Sequence, residues 1–151
     1  MKKRIAILAN HSGGLYDFRK DLIRALRNHG EVIAVVPKND KWQELCSIVD
    51  KAIELPLDRR GMNPIHDFSL FCKYRRMLRK VKPNLVITYT IKPNVYGGIA
   101  CRMAGIPYAA NITGLGSAIE NGGLLRKFIL MLYKLSLKGA RVVFFENAAN
   151  R

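Results

Sequence analysis

Asn84-Leu-Val-Ile-Thr-Tyr-Thr-Ile-Lys-Pro-Asn-Val-Tyr-Gly-Gly, running on through Arg102 and Pro107-Tyr-Ala-Ala to Asn111-Ile-Thr-Gly-Leu-Gly, is the stretch whose reading decides the fold. Residues 85–89 form a short apolar, β-branched run and read as a buried strand. A polar loop follows, a helix opens near Pro93, and residues 108–112 give a second strand that ends in a glycine loop. Together these make one βαβ unit. In an open parallel sheet ligands sit in the crevice beyond the carboxyl ends of the strands, so residues 90–94 and 113–117 are expected to face one cleft.

Upstream, residues 4–9 read as a first strand and residues 10–15 as a loop carrying Gly13-Gly14. The next helix places Leu15, Phe18, Leu22, Ala25 and Leu26 at helical spacing, with Asp17 and Asp21 early and Arg27 late, as the helix dipole prefers. Gly30 ends it, and residues 31–36 form a second strand stopped by Pro37. A short helix over 40–49, a third strand over 52–55 and a Pro- and Gly-containing loop over 56–64 come next. The helix predicted over 65–82 sets Leu70, Phe71, Tyr74, Met77, Leu78 and Val81 on one side. Lys73, Arg75, Arg76, Arg79, Lys80 and Lys82 fill the other, and Pro83 stops it.

Downstream, residues 124–138 read as a helix with Lys127, Lys134 and Lys138 on one stripe and Phe128, Leu132 and Leu135 on the apolar side, before a last strand over 141–146. About six strands alternating with five helices predict a doubly wound α/β domain, mainly parallel, with helices on both faces. Residues 1–151 are read as one Rossmann-like domain.

A chain of 151 residues buries roughly two thirds of its unfolded surface and needs neither disulfide nor metal to hold it. Cys46, Cys72 and Cys101 are odd in number and far apart, with no ligand spacing, so they read as reduced thiols and no metal site is expected. The basic opening Met1-Lys-Lys-Arg precedes an apolar run too short for a signal peptide. No stretch approaches the ~20 apolar residues of a membrane span, so a cytoplasmic protein is expected. Charge is the unusual feature. Of a net +15, residues 1–67 carry 12 basic and 9 acidic side chains, whereas residues 68–151 carry 14 and 2. Such asymmetry implies a polyanionic partner.

Gly13-Gly14 sits where a first strand turns into a first helix, the usual place for close backbone approach to a ligand, with a plain turn as the alternative. It is not Gly-x-Gly-x-x-Gly, and the second strand ends in Val35-Val36-Pro37 rather than an acidic residue, which disfavours a nicotinamide cofactor. No Gly-x-x-x-x-Gly-Lys-Ser/Thr loop is present, which argues against an ordinary ATPase. The loop Thr113-Gly114-Leu-Gly116-Ser can present backbone N–H groups to a ligand oxygen or phosphate, or simply turn the chain. Tyr89, Lys92 and Asn94 offer a strand end, a cation and an amide to the same cleft.

Ser12, Ser117 and the histidines assemble no nucleophile constellation. His29 and His66 read as ordinary helix-end or loop residues, while His11 lies in the first loop at the expected cleft. Glu120 is the one carboxylate of the cleft segments, so a glycosidase pair is absent. The basic faces are either solvated or bind an anionic surface. Lys73, Arg76, Arg79, Lys80, Lys127, Lys134 and Lys138 would then lie on a bilayer, each contributing ~1 kcal/mol near anionic lipid. No motif for reading nucleic acid is present, and none is expected as a partner.

The stretch from Asn84 to Gly98, with Ala100-Cys-Arg-Met-Ala-Gly-Ile-Pro-Tyr and Asn111-Ile-Thr-Gly-Leu-Gly, resembles the N-terminal half of family 4 glycosyltransferases of the GT-B fold, the bacterial lipid-linked oligosaccharide type above all. The resemblance implies retaining transfer from a nucleotide-sugar to a polyprenyl-diphosphate-linked or polysaccharide acceptor in capsule or O-antigen synthesis. It also implies a peripheral position on the inner face of a bacterial inner membrane. By the same resemblance Gly13-Gly14 matches the family's first glycine loop, near donor phosphates and acceptor. Thr113 stands where many members carry a histidine, and is expected to position rather than to react. The C-terminal domain that binds the nucleotide-sugar in that family is expected to lie beyond Arg151, or on a separate chain, leaving this domain without a bound cofactor and inactive alone. Two other readings stay open: a non-catalytic half that recruits a donor-binding chain to the membrane, and a basic nucleotide- or nucleic-acid-binding module.

Overall fold

The computed structural model describes residues 2–59, 61, 63–114 and 123–146. In chain order the elements are β1 (Arg4–Leu8), α1 (Ser12–Arg27), β2 (Glu31–Val36), α2 (Trp42–Ile48), β3 (Lys51–Glu54), α3 (Pro64–Val81) and β4 (Leu85–Tyr89). A turn of π-helix (Pro93–Gly97) then runs into α4 (Gly98–Ala104), followed by β5 (Tyr108–Ile112), α5 (Gly123–Leu137) and β6 (Val142–Phe145). All strand pairs are parallel, and the sheet order is β3-β2-β1-β4-β5-β6. The chain therefore lays β1 to β3 in one direction, crosses back, and lays β4 to β6 in the other. The reversal falls between β1 and β4.

Alternation along each strand feeds two cores, because successive side chains point to opposite faces. Ile5 and Ile7, with Val32, Ala34 and Val36, pack under Leu15 and Ile23 of α1 and Leu45 and Ile48 of α2. Ala6 and Leu8, with Ile33, Val35 and Val86, pack under Leu70, Tyr74, Met77 and Leu78 of α3 and Cys101 of α4. Strands covered on both faces are apolar throughout, which is why they read as continuous runs. Each fully buried Leu or Ile contributes ~1.5–3 kcal/mol.

Helix ends follow local chemistry. At α3 the Asn63 Oδ1 accepts from the N–H groups of Ile65 (3.0 Å) and His66 (3.4 Å), and Pro64 takes the first helical position. At its other end Lys82 turns left-handed (φ 49°) ahead of Pro83.

Two helices bury a different face from the one their spacing predicts. In α1 Phe18 is 77% and Leu22 40% exposed, while Ile23 is fully buried beside Leu15. In α5 Phe128 (49%) and Leu135 (47%) point outward, and Ile129, Tyr133 and Ser136 point in, with Leu132 partly buried. Both helices carry apolar residues on more than one face, and the sheet selects the face that meets its own apolar surface. A further correction concerns the first loop: α1 already begins at Ser12, so Gly13 and Gly14 are helical. No helix among the described residues is long and apolar enough to cross a membrane.

Candidate functional site

Parallel pairing brings the carboxyl ends of all strands to one rim, and the topological reversal opens a crevice there between β1 and β4. On the β1 side stands His11, the N-cap of α1. Its Nδ1 accepts from the Gly14 N–H (3.1 Å) and its Nε2 lies 2.9 Å from Asp40 Oδ1. An accepting Nδ1 assigns the proton of the neutral ring to Nε2, donated to Asp40. With both nitrogens engaged, His11 fixes the helix start and the loop after β2.

That loop is clamped a second time. Ser12 Oγ donates to Asp40 O (2.9 Å) and accepts from the Asn39 N–H (3.0 Å). The clamp explains Gly13: a Cβ there would sit 2.5 Å from Asp40 Oδ2 and 3.2 Å from Asp40 O. Gly13 is thus small for the sake of this loop. At Gly14 the nearest atom to an added Cβ is 3.8 Å away, so that position is open.

On the β4 side, Thr90 holds a left-handed backbone (φ 70°). For a β-branched residue this is a strained conformation, costing ~1–3 kcal/mol, of the kind that collects at functional sites. Thr90 O accepts the Asn94 N–H (3.0 Å), while its buried Oγ1 has no hydrogen-bond partner among the described residues. Tyr89 is 5% exposed, with the Arg19 guanidinium 4.9 Å above its ring. Burial pushes its phenol pKa up, opposed by Arg19, which also pairs with Glu146.

The next two candidates lie inside the wall of the cleft, where their polar groups already have partners. Asn94 is fully buried; its Oδ1 accepts from Thr88 Oγ1 (2.6 Å) and its Nδ2 donates to Asn111 O (2.8 Å), so it ties β4 to β5. Lys92 Nζ is 2.7 Å from Asp67 Oδ1, with the two side chains 12% and 13% exposed. Asp67 also accepts from Tyr96 OH (3.1 Å). Neither the amide of Asn94 nor the cation of Lys92 is free as expected, because each is consumed by a long-range partner. Thr113 and Gly114 are partly exposed at the end of β5, and an added Cβ at Gly114 would meet nothing within 4 Å. Gly116, Ser117 and Glu120 lie outside the described residues.

Lys73, Arg76, Arg79 and Lys80 are exposed on α3, as are Lys127 near the start of α5, Lys134 in its last turn and Lys138 just beyond it. Beside the α5 lysines runs a stripe of outward apolar residues, Leu124 (87% exposed), Phe128, Met131 (58%) and Leu135, spaced four, three and four apart. Sequence reading missed this stripe, and with it Asp40, Asp67, Arg19 and the strained backbone of Thr90, a residue it did place at the cleft. Asp40 was detectable as a carboxylate just past the second strand; the strain at Thr90 leaves no mark in the sequence.

Residues 4–147 match the family model described as glycosyl transferase 4-like. The chain is 32% identical over 153 residues to the N,N'-diacetylbacillosaminyl-diphospho-undecaprenol alpha-1,3-N-acetylgalactosaminyltransferase of Campylobacter jejuni, covering 97% of this chain and 41% of that protein. It thus spans less than half of that relative's length. Among solved structures, a UDP-N-acetylglucosamine 2-epimerase superposes with a TM-score of 0.68 at 12% identity, over 98% of this chain and 43% of the other. MurG of Acinetobacter baumannii does so with a TM-score of 0.64 at 15% identity, over 95% and 41%. At such identities these two show the fold, a Rossmann-like sheet of the GT-B kind.

Proposed function

The chain belongs to the glycosyl transferase 4-like family, and on that premise we propose that it is the acceptor- and membrane-facing domain of a retaining glycosyltransferase. The reaction moves a sugar from a nucleotide-sugar to a polyprenyl-diphosphate-linked acceptor. The Campylobacter relative, named for GalNAc transfer to a diphospho-undecaprenol-linked sugar, supports this acceptor class. A second domain, which the length of that relative leaves room for, holds the donor. The protein works as a peripheral enzyme on the inner face of a bacterial inner membrane.

In this reading the crevice between β1 and β4 receives the acceptor's reacting end. His11 and Asp40 hold the N-terminus of α1 in place there, and Thr90 holds the strained turn on the opposite side. Lys92, Asp67 and Asn94 keep the wall rigid, so that the acceptor meets a fixed surface.

One observation carries the membrane half of the proposal. α5 turns Ile129 and Tyr133 to the core and presents Leu124, Phe128, Met131 and Leu135 outward beside its lysines. An apolar stripe flanked by cations suits the interface of an anionic bilayer. The test is flotation with vesicles. Binding is expected to anionic and not to neutral vesicles, to fall with salt, and to be lost in a Phe128→Ser, Met131→Ser double variant; equal binding to both lipids would sink the proposal.

A further inference from the structure

Beside α3 the structure carries a second feature that the basic-face reading does not explain. Lys73, Arg76 and Lys80 project on one stripe of α3 and form the wall of an open groove of about 550 Å³ between α3 and β3. Its floor is apolar: Ile33, Ile53, Leu55, Met77 and Val81. The end near the start of the strands is closed by Arg4, which pairs with Glu31 (3.2 Å) and donates to Val81 O (2.9 Å). With Glu31 so engaged, Glu54 is the remaining carboxylate of the lining, against Lys51 and the three α3 cations. None of those three has a carboxylate partner among the described residues.

At its upper end the groove meets a second one of about 400 Å³, and both share Pro56 and Lys73. The second groove opens at the carboxyl-end rim and is lined by Asp58, His66, Asp67, Ser69 and Lys92. Lys92 and Asp67 are paired with each other there, and His66 and Ser69 add groups able to hydrogen-bond a hydroxyl. Along one continuous path the surface therefore changes from polar at the rim to a strip in which the α3 cations Lys73, Arg76 and Lys80 flank an apolar floor of Ile33, Ile53 and Leu55.

We propose that this path binds the lipid-linked acceptor lengthwise: the sugar unit next to the diphosphate in the rim groove, from which the reacting end extends along the rim to the crevice, the diphosphate on Lys73 and Arg76, and the first part of the apolar chain over Ile53 and Leu55. The assignment rests on the acceptor reading given above, and it adds a site to that reading. Charge complementarity selects an anionic amphiphile over a neutral peptide, since a peptide needs neither the unpaired cations nor their position along an apolar floor. It also divides the basic residues: Lys73, Arg76 and Lys80 serve a single bound molecule, whereas the α5 lysines serve the bilayer.

Calorimetric titration of the purified protein with farnesyl diphosphate below its micelle concentration tests this, with inorganic pyrophosphate and anionic vesicles as parallel arms. Farnesyl diphosphate is expected to bind at least ~10-fold more tightly than pyrophosphate. A Lys73→Glu, Arg76→Glu double variant is expected to weaken it by at least ~10-fold. Ile53→Asn should weaken farnesyl diphosphate and leave pyrophosphate alone. Arg24→Glu, the same charge reversal on α1 across the sheet, should change neither, and thermal melts confirm that each variant folds. Equal affinity for pyrophosphate, or undiminished binding by the double variant, overturns the proposal. A protein that floats with anionic vesicles yet does not bind farnesyl diphosphate overturns the groove and spares the membrane reading; the converse pattern overturns the membrane reading and spares the groove.

Discussion

The two halves of this sequence treat charge differently. Within residues 2–67 several cations are paired: Arg4 with Glu31, Arg19 with Glu146, Arg24 with Asp21, Arg27 with Asp50 and Lys41 with Asp17. Within residues 68–146 Lys92 is the one described cation with a carboxylate partner, reaching back to Asp67. Sequence counts predict part of this, since residues 68–151 hold only 2 acids against 14 bases. The structure adds where the unmatched charge goes. It lines a groove on α3 and flanks an apolar stripe on α5, while the matched charges join helices and loops of the first half. The first half of the sequence uses paired cations to hold the fold together; the second turns most of its cations outward, those of α3 standing over β3.

Lys92 is the place to break that contrast hardest. Removing one member of a buried pair strands the other charge, so Lys92→Met is expected to cost ~3–5 kcal/mol in a denaturant titration. Lys80→Met, with no pair to lose, should stay within ~0.5 kcal/mol. Similar costs at both sites would mean that the second half is not free of internal charge duties.

Thr90 sharpens the comparison from the other side, since its strain sits at the crevice where the halves meet. Thr90→Gly relieves a left-handed β-branched residue and is expected to raise stability by ~1 kcal/mol, read as a higher melting temperature. A lower melting temperature would show that the hydroxyl or methyl group matters more to folding than the backbone does. In a transfer assay with the longer enzyme, the same variant should lose rate if the crevice binds acceptor.

The smallest effect belongs to the matched half. Asp50 accepts from the Val32 N–H (2.8 Å) and from Arg27 (3.1 Å), and the backbone bond is the main cause holding its carboxyl below the usual range. A depressed folded-state pKa contributes stability that is present above the unfolded value of about 4 and is lost as pH falls through the folded one. Asp50→Asn should therefore lower stability by up to ~1 kcal/mol at neutral pH, with the difference from the parent protein shrinking in acid. A difference that grows in acid would contradict this.

How far the sequence carried these conclusions depends on the range of the interaction. β2, β4 and β5 fall at the predicted residues, because a strand buried on both faces has no choice but a continuous apolar run. The rim followed from topology alone. Which face of α1 or α5 turns inward did not, since Phe18 and Leu22, or Phe128 and Leu135, are as apolar as the residues that pack. The fate of Lys92 and Asn94 was hidden for another reason. Their partners Asp67 and Asn111 lie 25 and 17 residues away, and only the folded chain brings them together. Gly13 reads as a ligand-approach glycine until the loop at Asp40 is seen against it.

The most direct test of the contrast between the halves is flotation on anionic vesicles of two variants with identical net charge. One carries Lys127→Glu, Lys134→Glu and Lys138→Glu; the other carries Lys2→Glu, Arg24→Glu and Lys38→Glu. At ~1 kcal/mol per cation near the bilayer, the first should lose at least ~100-fold in vesicle affinity. The second should bind much as the parent protein does. Equal losses in the two would mean that vesicles sense only total charge, and would contradict a membrane face on α5.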